Sequence, residues 1–287
     1  MIQDLTICIP AYNEAAAVKV TLEKLRAKFD DAEIILVDDG STDETYELAK
    51  SVEDVVVISH DRNRGYGSAL KTAIRNSNGK AIAWFDADGQ HQPDDLVKVV
   101  QPVLEDKMDV VIGSRGKGSD VRMDRLPGKM LLKFVAETIV GDFIPDLNSG
   151  LRCFKSEVIK RYLHLLPEGF SASTTSTLLM KKRGYRIDFV DIIANKRKGE
   201  SSVNIVYDGL VTMGLIIRIL ILFNALPFFS LLSILQIVPG LLWGLWYIID
   251  GSGLSVFAST LIISGLLTLF MGLICDQITE LRKERLE

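Results

Sequence analysis

Between residues 219 and 249 the chain has no Asp, Glu, Lys or Arg, and residues 251–275 form a second uncharged stretch. Each exceeds the roughly 20 apolar residues needed to cross about 30 Å of hydrocarbon. A buried core helix is usually shorter and carries a polar face. The pattern therefore predicts two transmembrane helices joined by a tight turn at Asp250-Gly251. Lys196, Arg197, Lys198 and Arg218 precede the pair, and Arg282, Lys283 and Arg285 follow it; the turn has no basic residue. By the positive-inside rule, both flanks and the large N-terminal part then face the cytoplasm, at the plasma (cytoplasmic) membrane. The first residues read as a strand, not as a secretory signal.

The N-terminal part has a different texture. Residues 4–10, 33–38, 55–59, 80–86 and 109–114 are short runs rich in Val and Ile. Segments of helical character at 15–29, 43–51, 66–76 and 94–105 separate them. Near-continuous apolar strands alternating with helices predict an α/β fold, Rossmann-like, with a mainly parallel sheet covered on both faces. Helical patterns follow at 129–140, 156–165 and 172–183, and a strand-like run at 186–195. Residues 115–128 are glycine-rich and basic without apolar periodicity, which predicts a mobile loop. Asp208 and Arg218 lie in the otherwise apolar segment 203–223, as expected of an amphipathic helix at the membrane interface.

In a doubly wound sheet, ligands bind outside the carboxyl ends of the strands. Polar residues cluster at those positions: Pro10-Ala11-Tyr12-Asn13-Glu14, Asp38-Asp39-Gly40-Ser41, Asp61-Arg62-Asn63-Arg64-Gly65, Asp86-Ala87-Asp88-Gly89-Gln90 and Gly113-Ser114-Arg115. The fourth cluster sets two carboxylates two residues apart. In extended backbone, Asp86, Asp88 and Gln90 would share one side and present oxygen to one point. Hard cations such as Mg²⁺ or Mn²⁺ take such ligands and keep room for substrate phosphates.

Other chemistries fit poorly. A net charge of −4 argues against nucleic-acid binding. Cys8, Cys153 and Cys275 are too far apart in sequence to suggest a disulfide framework or a zinc site, and His60, His91 and His164 are equally scattered. Gly65-Tyr66-Gly67 begins a dinucleotide fingerprint, but Leu70 occupies the third glycine's place and the motif follows the third strand, not the first.

Taken in order, PAYNE (10–14), VDDGS (37–41), DADGQ (86–90), GSR (113–115), DLNSGLR (146–152), Arg197-x-Gly199-x-Ser201 and the closing ICDQITELRKER resemble the family-2 glycosyltransferases of the GT-A fold. The branch they most resemble moves one sugar to a polyprenyl phosphate, dolichol or undecaprenyl, as dolichol-phosphate mannose synthase does. The resemblance implies a metal-dependent transferase using a UDP- or GDP-hexose donor, a polyprenyl-phosphate acceptor and Mg²⁺ or Mn²⁺. By position, Pro10, Ala11, Tyr12, Glu14, Val37, Asp39 and Ala87 would surround the nucleotide, with Asp39 accepting from the base. Asp86, Asp88 and Gln90 would hold the metal, and Arg197 would face the donor diphosphate. Arg115, Arg125 and Lys129 would grip the acceptor phosphate.

Two positions depart from the family pattern. Pro127-Gly128 stands where relatives often have Gly-Asn, and Ser202 where Lys often follows. There is no Q-x-x-R-W of processive synthases, which favours one sugar per turnover. The expected layout is a catalytic domain at 1–200, an interfacial helix at 201–224, two transmembrane helices at 225–276 and a cytoplasmic tail at 277–287. A membrane transferase acting on another lipid or glycan acceptor would share the donor site without needing the Arg115, Arg125 and Lys129 cluster. An inactive membrane scaffold would need neither DADGQ nor PAYNE. The identity of the sugar and base, the prenyl length and the oligomeric state, a homo-oligomer included, stay open at this stage.

Overall fold

The computed structural model describes residues 4–116, 127–169, 171–194, 205–251 and 253–284; for 127–129, 205–213, 222 and 282–284 it describes the backbone alone. The chain divides into two compact units, 1–133 with 140–204, and 134–139 with 205–287.

The first unit is built on β1 (Leu5–Ala11), α1 (Val18–Lys28), β2 (Glu33–Asp38), α2 (Thr45–Lys50), β3 (Val55–Ser59), α3 (Tyr66–Arg75), β4 (Ala81–Trp84), α4 (Pro93–Leu104) and β5 (Val110–Arg115). After α5 (Pro127–Val140) come β6 (Arg152–Lys155), α6 (Ser156–Arg161), a short 3₁₀ turn, α7 (Ala172–Lys182) and β7 (Ile187–Ile192). The seven strands form one sheet in the order β3-β2-β1-β4-β6-β5-β7. All run parallel except β6, which is antiparallel to β4 and β5. The expected α/β, mainly parallel GT-A architecture is present.

Strand alternation explains the two-sided burial. Leu5, Ile7 and Ile9 of β1 join Val18, Leu22 and Leu25 of α1 and Leu96, Val99 and Val103 of α4 in one apolar cluster. The intervening Thr6 and Cys8 are fully buried on the other face, and α3 packs against β1 and β2. Period-two alternation with both faces covered produces the unbroken apolar runs of the sequence.

β6 is the strand that the sequence pattern did not predict. It has four residues and opens on Arg152, so no apolar run marks it. It enters the sheet because β4 and β5 leave a gap that its backbone fills, pairing Trp84 with Arg152 and Val111 with Cys153. The glycine-rich segment expected to be a loop falls largely at 117–126, outside the described residues.

The second unit contains α8 (Ile205–Ile249) and α9 (Val256–Glu284). Asn224 interrupts α8 with non-helical angles, φ −150° and ψ 40°. Pro227 accounts for it, since a proline lacks the N–H that would reach the carbonyl four residues back, at Phe223, and its ring clashes there. The break falls where the sequence suggested that an interfacial segment gives way to a span. Phe223–Ile249 and Val256–Leu281 are long and apolar enough to cross a membrane, and only 17% of each span's apolar window is buried. A core helix of a soluble protein would be mostly buried, so the exposed apolar faces favour lipid as the surrounding medium. The two helices approach closely at Gly265 and Gly272, where an added Cβ would lie 2.5 Å from Ile237 and from Phe229. Gln236 adds polar contacts, accepting from Ser264 Oγ at 2.7 Å and donating to Thr268 Oγ1 at 3.2 Å.

Candidate active site

The sheet order makes the site's position a matter of topology. From β1 the chain winds through β2 to β3 on one side, then returns to place β4 on the other side of β1. The crevice at the carboxyl ends of β1 and β4 is thus a switch point, where open α/β sheets bind ligands. Because β1 to β5 are mutually parallel, all five polar clusters singled out in the sequence emerge at this one edge.

The acidic pair lies just beyond β4. The strand ends at Trp84, and Ala87-Asp88 form a turn. Strand alternation therefore does not set the two carboxylates, contrary to expectation; the turn does. It needs Gly89 at φ 74°, a conformation that side chains with a Cβ disfavour. Asp88 is 8% exposed, and its Oδ1 accepts the Gln90 N–H at 3.0 Å.

Asp86 is held from more than one side. Its Oδ1 accepts the Tyr66 hydroxyl at 2.9 Å, and its Oδ2 lies 3.6 Å from His91 Nε2. Burial pushes the Asp86 carboxyl up, but His91, the Tyr66 hydroxyl and the Arg115 charge outweigh it and leave the group below its ordinary value. Burial and the neighbouring Asp86 charge raise the Tyr66 phenol well above its usual range, so it stays a proton donor. Gly150 backs the same carboxylate: a Cβ there would stand 1.9 Å from Asp86 Oδ2. Only a residue without a side chain leaves room for the carboxylate.

Around the first strand end, the turn after β1 is tied to the segment after β2. Asn13 N–H donates to Ser41 Oγ at 2.9 Å, Glu14 N–H to Thr45 Oγ1 at 2.8 Å, and Thr42 N–H to Asn13 Oδ1 at 2.8 Å. Tyr12 stands 42% exposed on this turn, an aromatic face available for stacking. Asp39 is 3% exposed, and its carboxylate takes Arg64 N–H and Gly65 N–H at 3.0 and 2.7 Å with His60 Nδ1 at 2.6 Å. Pro10, Ala11, Val37 and Ala87 are buried, with Val37 at 0% and Ala87 at 2% exposure, so the last two present almost no surface to the crevice.

Arg115 ends β5 and is engaged within the protein. Its Nε and Nη2 fork Asp146 Oδ2 and Oδ1 at 2.6 and 2.8 Å, with 12% of each side chain exposed. Burial raises the Asp146 carboxyl, while the Arg115 hydrogen bonds and charge more than offset this and lower it. Arg125 and Arg197 lie outside the described residues; Lys129 is on the first turn of α5, with only its backbone described. Whereas 148–150 was already expected to shape the donor pocket, Tyr66, His91, Asp146 and Arg152 escaped the reading of single motifs as site residues. Their nearest signals were the Gly65-Tyr66-Gly67 step, the histidine directly after Gln90 and the run 146–152.

Residues 6–163 match the family model described as Glycosyl transferase family 2. This chain belongs to that family. Residues 226–281 match a second model, the GtrB C-terminal hairpin, which covers the pair of apolar helices. A UDP-N-acetylglucosamine–dolichyl-phosphate N-acetylglucosaminyltransferase of Methanococcus voltae is 33% identical over 210 residues, 65% of this chain and 83% of the relative. Glycosyltransferase AglJ of Haloferax volcanii is 27% identical over 297 residues, covering 98% of this chain and 96% of its own. Glucosyl-3-phosphoglycerate synthase from Mycobacterium tuberculosis, solved with Mn²⁺, UDP and glucosyl-3-phosphoglycerate, has the same fold. It superposes with a TM-score of 0.62 at 21% identity, over 76% of this chain and 79% of that one.

For a family 2 transferase the donor set is chemically apt. No group of three or more His, Cys, Asp or Glu that could hold a metal occurs among the described residues. Asp86, Asp88 and Gln90 do carry hard oxygen donors of the type that Mg²⁺ or Mn²⁺ takes together with substrate phosphates. The cradle that Gly150 forms behind Asp86 holds one such oxygen donor in place.

Proposed function

We propose that this family 2 transferase moves one hexose from a UDP- or GDP-hexose to a polyprenyl phosphate at the cytoplasmic face of the membrane, with inversion at the anomeric carbon. The observation that carries the reading is the placement of Asp86 and Asp88 at the β1–β4 switch point, in a chain that ends in two exposed apolar helices. The hairpin match and the polyprenyl-phosphate substrate in the name of the Methanococcus relative support the lipid acceptor.

In this reading residues 1–200 form the catalytic domain, 201–224 the interfacial segment, 225–276 the spans and 277–287 a cytoplasmic tail. Tyr12 stacks on the base, while Pro10, Ala11, Glu14, Val37, Asp39 and Ala87 complete the nucleotide site. Asp39 contributes mainly by anchoring the 60–65 segment, since its oxygens already take three donors. Asp86, Asp88 and Gln90 hold the divalent ion. That ion supplies Lewis-acid stabilisation of the charge on the departing nucleoside diphosphate.

The acceptor needs no general base, because a phosphate monoester oxygen is anionic near neutral pH. That oxygen attacks the anomeric carbon from the face opposite the diphosphate; the new C–O bond forms as the old one breaks, and the electron pair leaves with the diphosphate. The task left to the protein is to bring two anions together. Arg125, Lys129 and Arg197 supply charge for this, with Arg115, held by Asp146, adding its own.

Asp88→Ala tests the reading directly. Membranes containing the variant, incubated with a panel of nucleotide sugars and radiolabelled polyprenyl phosphate, should form no lipid-linked sugar although the protein folds. Turnover equal to wild type, or wild-type turnover undiminished by chelator, removes the mechanism.

A further inference from the structure

Arg152 is a fully buried arginine whose hydrogen bonds all go to neutral oxygens. It opens β6, is 0% exposed, and lies over the Trp84 ring with 5.4 Å from guanidinium carbon to ring centroid. Nε and Nη2 both donate to the Ser149 carbonyl, Nε at 3.0 Å. Nη1 donates to the Ser173 carbonyl at 2.7 Å, Ser176 Oγ at 2.9 Å and Thr177 Oγ1 at 3.1 Å. Burial brings the guanidinium pKa down to about 10, which still leaves it charged at neutral pH. A buried charge with no carboxylate in hydrogen-bonding contact is expensive, and the nearby Asp146 and Asp86 charges offset only part of the effect of burial. Such a group persists where its geometry does something that a neutral side chain cannot.

The residues it holds explain the need. Ser149 precedes Gly150, whose α-carbon faces Asp86 so closely that a Cβ would stand 1.9 Å from the carboxylate. Trp84, under the guanidinium, is two residues before Asp86. Ser173, Ser176 and Thr177 lie on the first turns of α7, and neighbouring Thr174 donates to Asn148 Oδ1 at 2.6 Å. One planar fork thus ties together the strand that leads to Asp86, the turn behind it and the helix beside that turn. A lysine has no such fork, only one compact charge with three donors.

We propose that Arg152 is a positioning residue for transfer, bracing the Ser149–Gly150 turn so that Asp86 keeps one orientation in which to receive the divalent ion. The inference rests on the metal-dependent reading given above. Groups that orient a metal-binding side chain typically change metal affinity by about 10–100-fold when replaced.

The test uses the full chain in detergent. Mn²⁺ binding is titrated by electron paramagnetic resonance with uridine or guanosine diphosphate present, and transfer is measured against Mn²⁺ concentration. Arg152→Lys, and separately the milder Ser176→Ala/Thr177→Val double variant, are compared with wild type per folded molecule. The expected result is a half-saturating Mn²⁺ concentration raised about tenfold or more in Arg152→Lys, in both binding and transfer, with a smaller rise in the double variant and an unchanged acceptor KM. A purely structural role would lower the thermal midpoint while leaving half-saturation unmoved. That outcome in either soluble variant overturns the proposal. If wild type neither binds Mn²⁺ nor needs it, the metal reading itself falls and this inference with it; wild-type dependence that the variants leave unaltered sinks Arg152 alone.

Discussion

Gly150→Ala isolates the contact on which the acidic site depends. The glycine's φ lies outside the left-handed region, so alanine introduces no backbone strain of that kind. Its methyl group would instead meet Asp86 Oδ2 at 1.9 Å, Cγ at 2.7 Å and Oδ1 at 2.9 Å. Side-chain carbons do not settle closer than 3.0 Å to such atoms, so the carboxylate or the turn must retreat by about 1 Å. Asp86 has little freedom to yield without losing the Tyr66 hydroxyl, held at 2.9 Å. Displacement of a reacting or metal-holding group by about 1 Å costs on the order of 10²-fold in rate. Overpacking of this kind costs about 1–3 kcal/mol of stability, partly offset by roughly 0.4–1 kcal/mol from a stiffer unfolded chain. Transfer by Gly150→Ala should therefore fall about 100-fold in kcat/KM while the protein still folds, judged by far-UV circular dichroism in detergent. Gly169→Ala is the matched control, because a Cβ there meets nothing within 4 Å. Gly150→Ala within threefold of wild type, with Gly169→Ala no different, would refute the claim that Asp86 must sit against that turn.

Other consequences can be measured separately. Asp146→Ala leaves the Arg115 guanidinium without its bidentate partner in a site where each side chain is 12% exposed, and it should cost about 3 kcal/mol of stability by denaturant titration. A loss under half that would show that solvent reaches the pair. Hydrogen bonds from Arg186, together with Lys155, hold the Asp109 carboxyl far below its ordinary value against the opposing effect of burial. Since the folded pKa is depressed, this stabilisation is complete above the unfolded value of about 3.9 and is lost as pH falls below it. The thermal midpoint should drop on acidification below about pH 4, and Asp109→Asn should flatten that drop; an identical pH profile would contradict the assignment. In the apolar hairpin, Gly272→Val places a side chain where a Cβ would already lie 2.5 Å from Phe229. It should lower the thermal midpoint of the detergent-solubilised protein without changing donor binding, and an unchanged midpoint would mean that the helices do not pack there.

The parts of the fold visible in the sequence are those set by local periodicity. The strand expected at 33–38 is β2 at Glu33–Asp38, and that expected at 55–59 is β3 at Val55–Ser59. Helices expected at 66–76 and 94–105 are α3 and α4 to within a residue at each end. β6 was not visible, because four residues opening on an arginine carry no alternation of their own. Within the site, Asp86, Asp88 and Asp39 could be named from adjacent polar residues at strand ends. Tyr66 and Arg152 could not: Tyr66 meets Asp86 from 20 positions away, and although Arg152 lies three residues from Ser149, the Trp84 ring and α7 that it ties to that turn are 68 and 21–25 positions away in sequence. His91 was in plain view beside Gln90, yet nothing local distinguishes a histidine that faces a carboxylate from one that faces the core.

Composition and period alone determined that this chain alternates strands with helices and closes with two uncharged spans, because hydrophobic burial and backbone geometry act through neighbours in sequence. Tertiary structure decided which carboxylate oxygen is braced, by what, and at what distance. Those contacts join Tyr66, Gly150 and Arg152 to the end of β4 across separate elements, and their geometry exists only once the sheet has assembled around them.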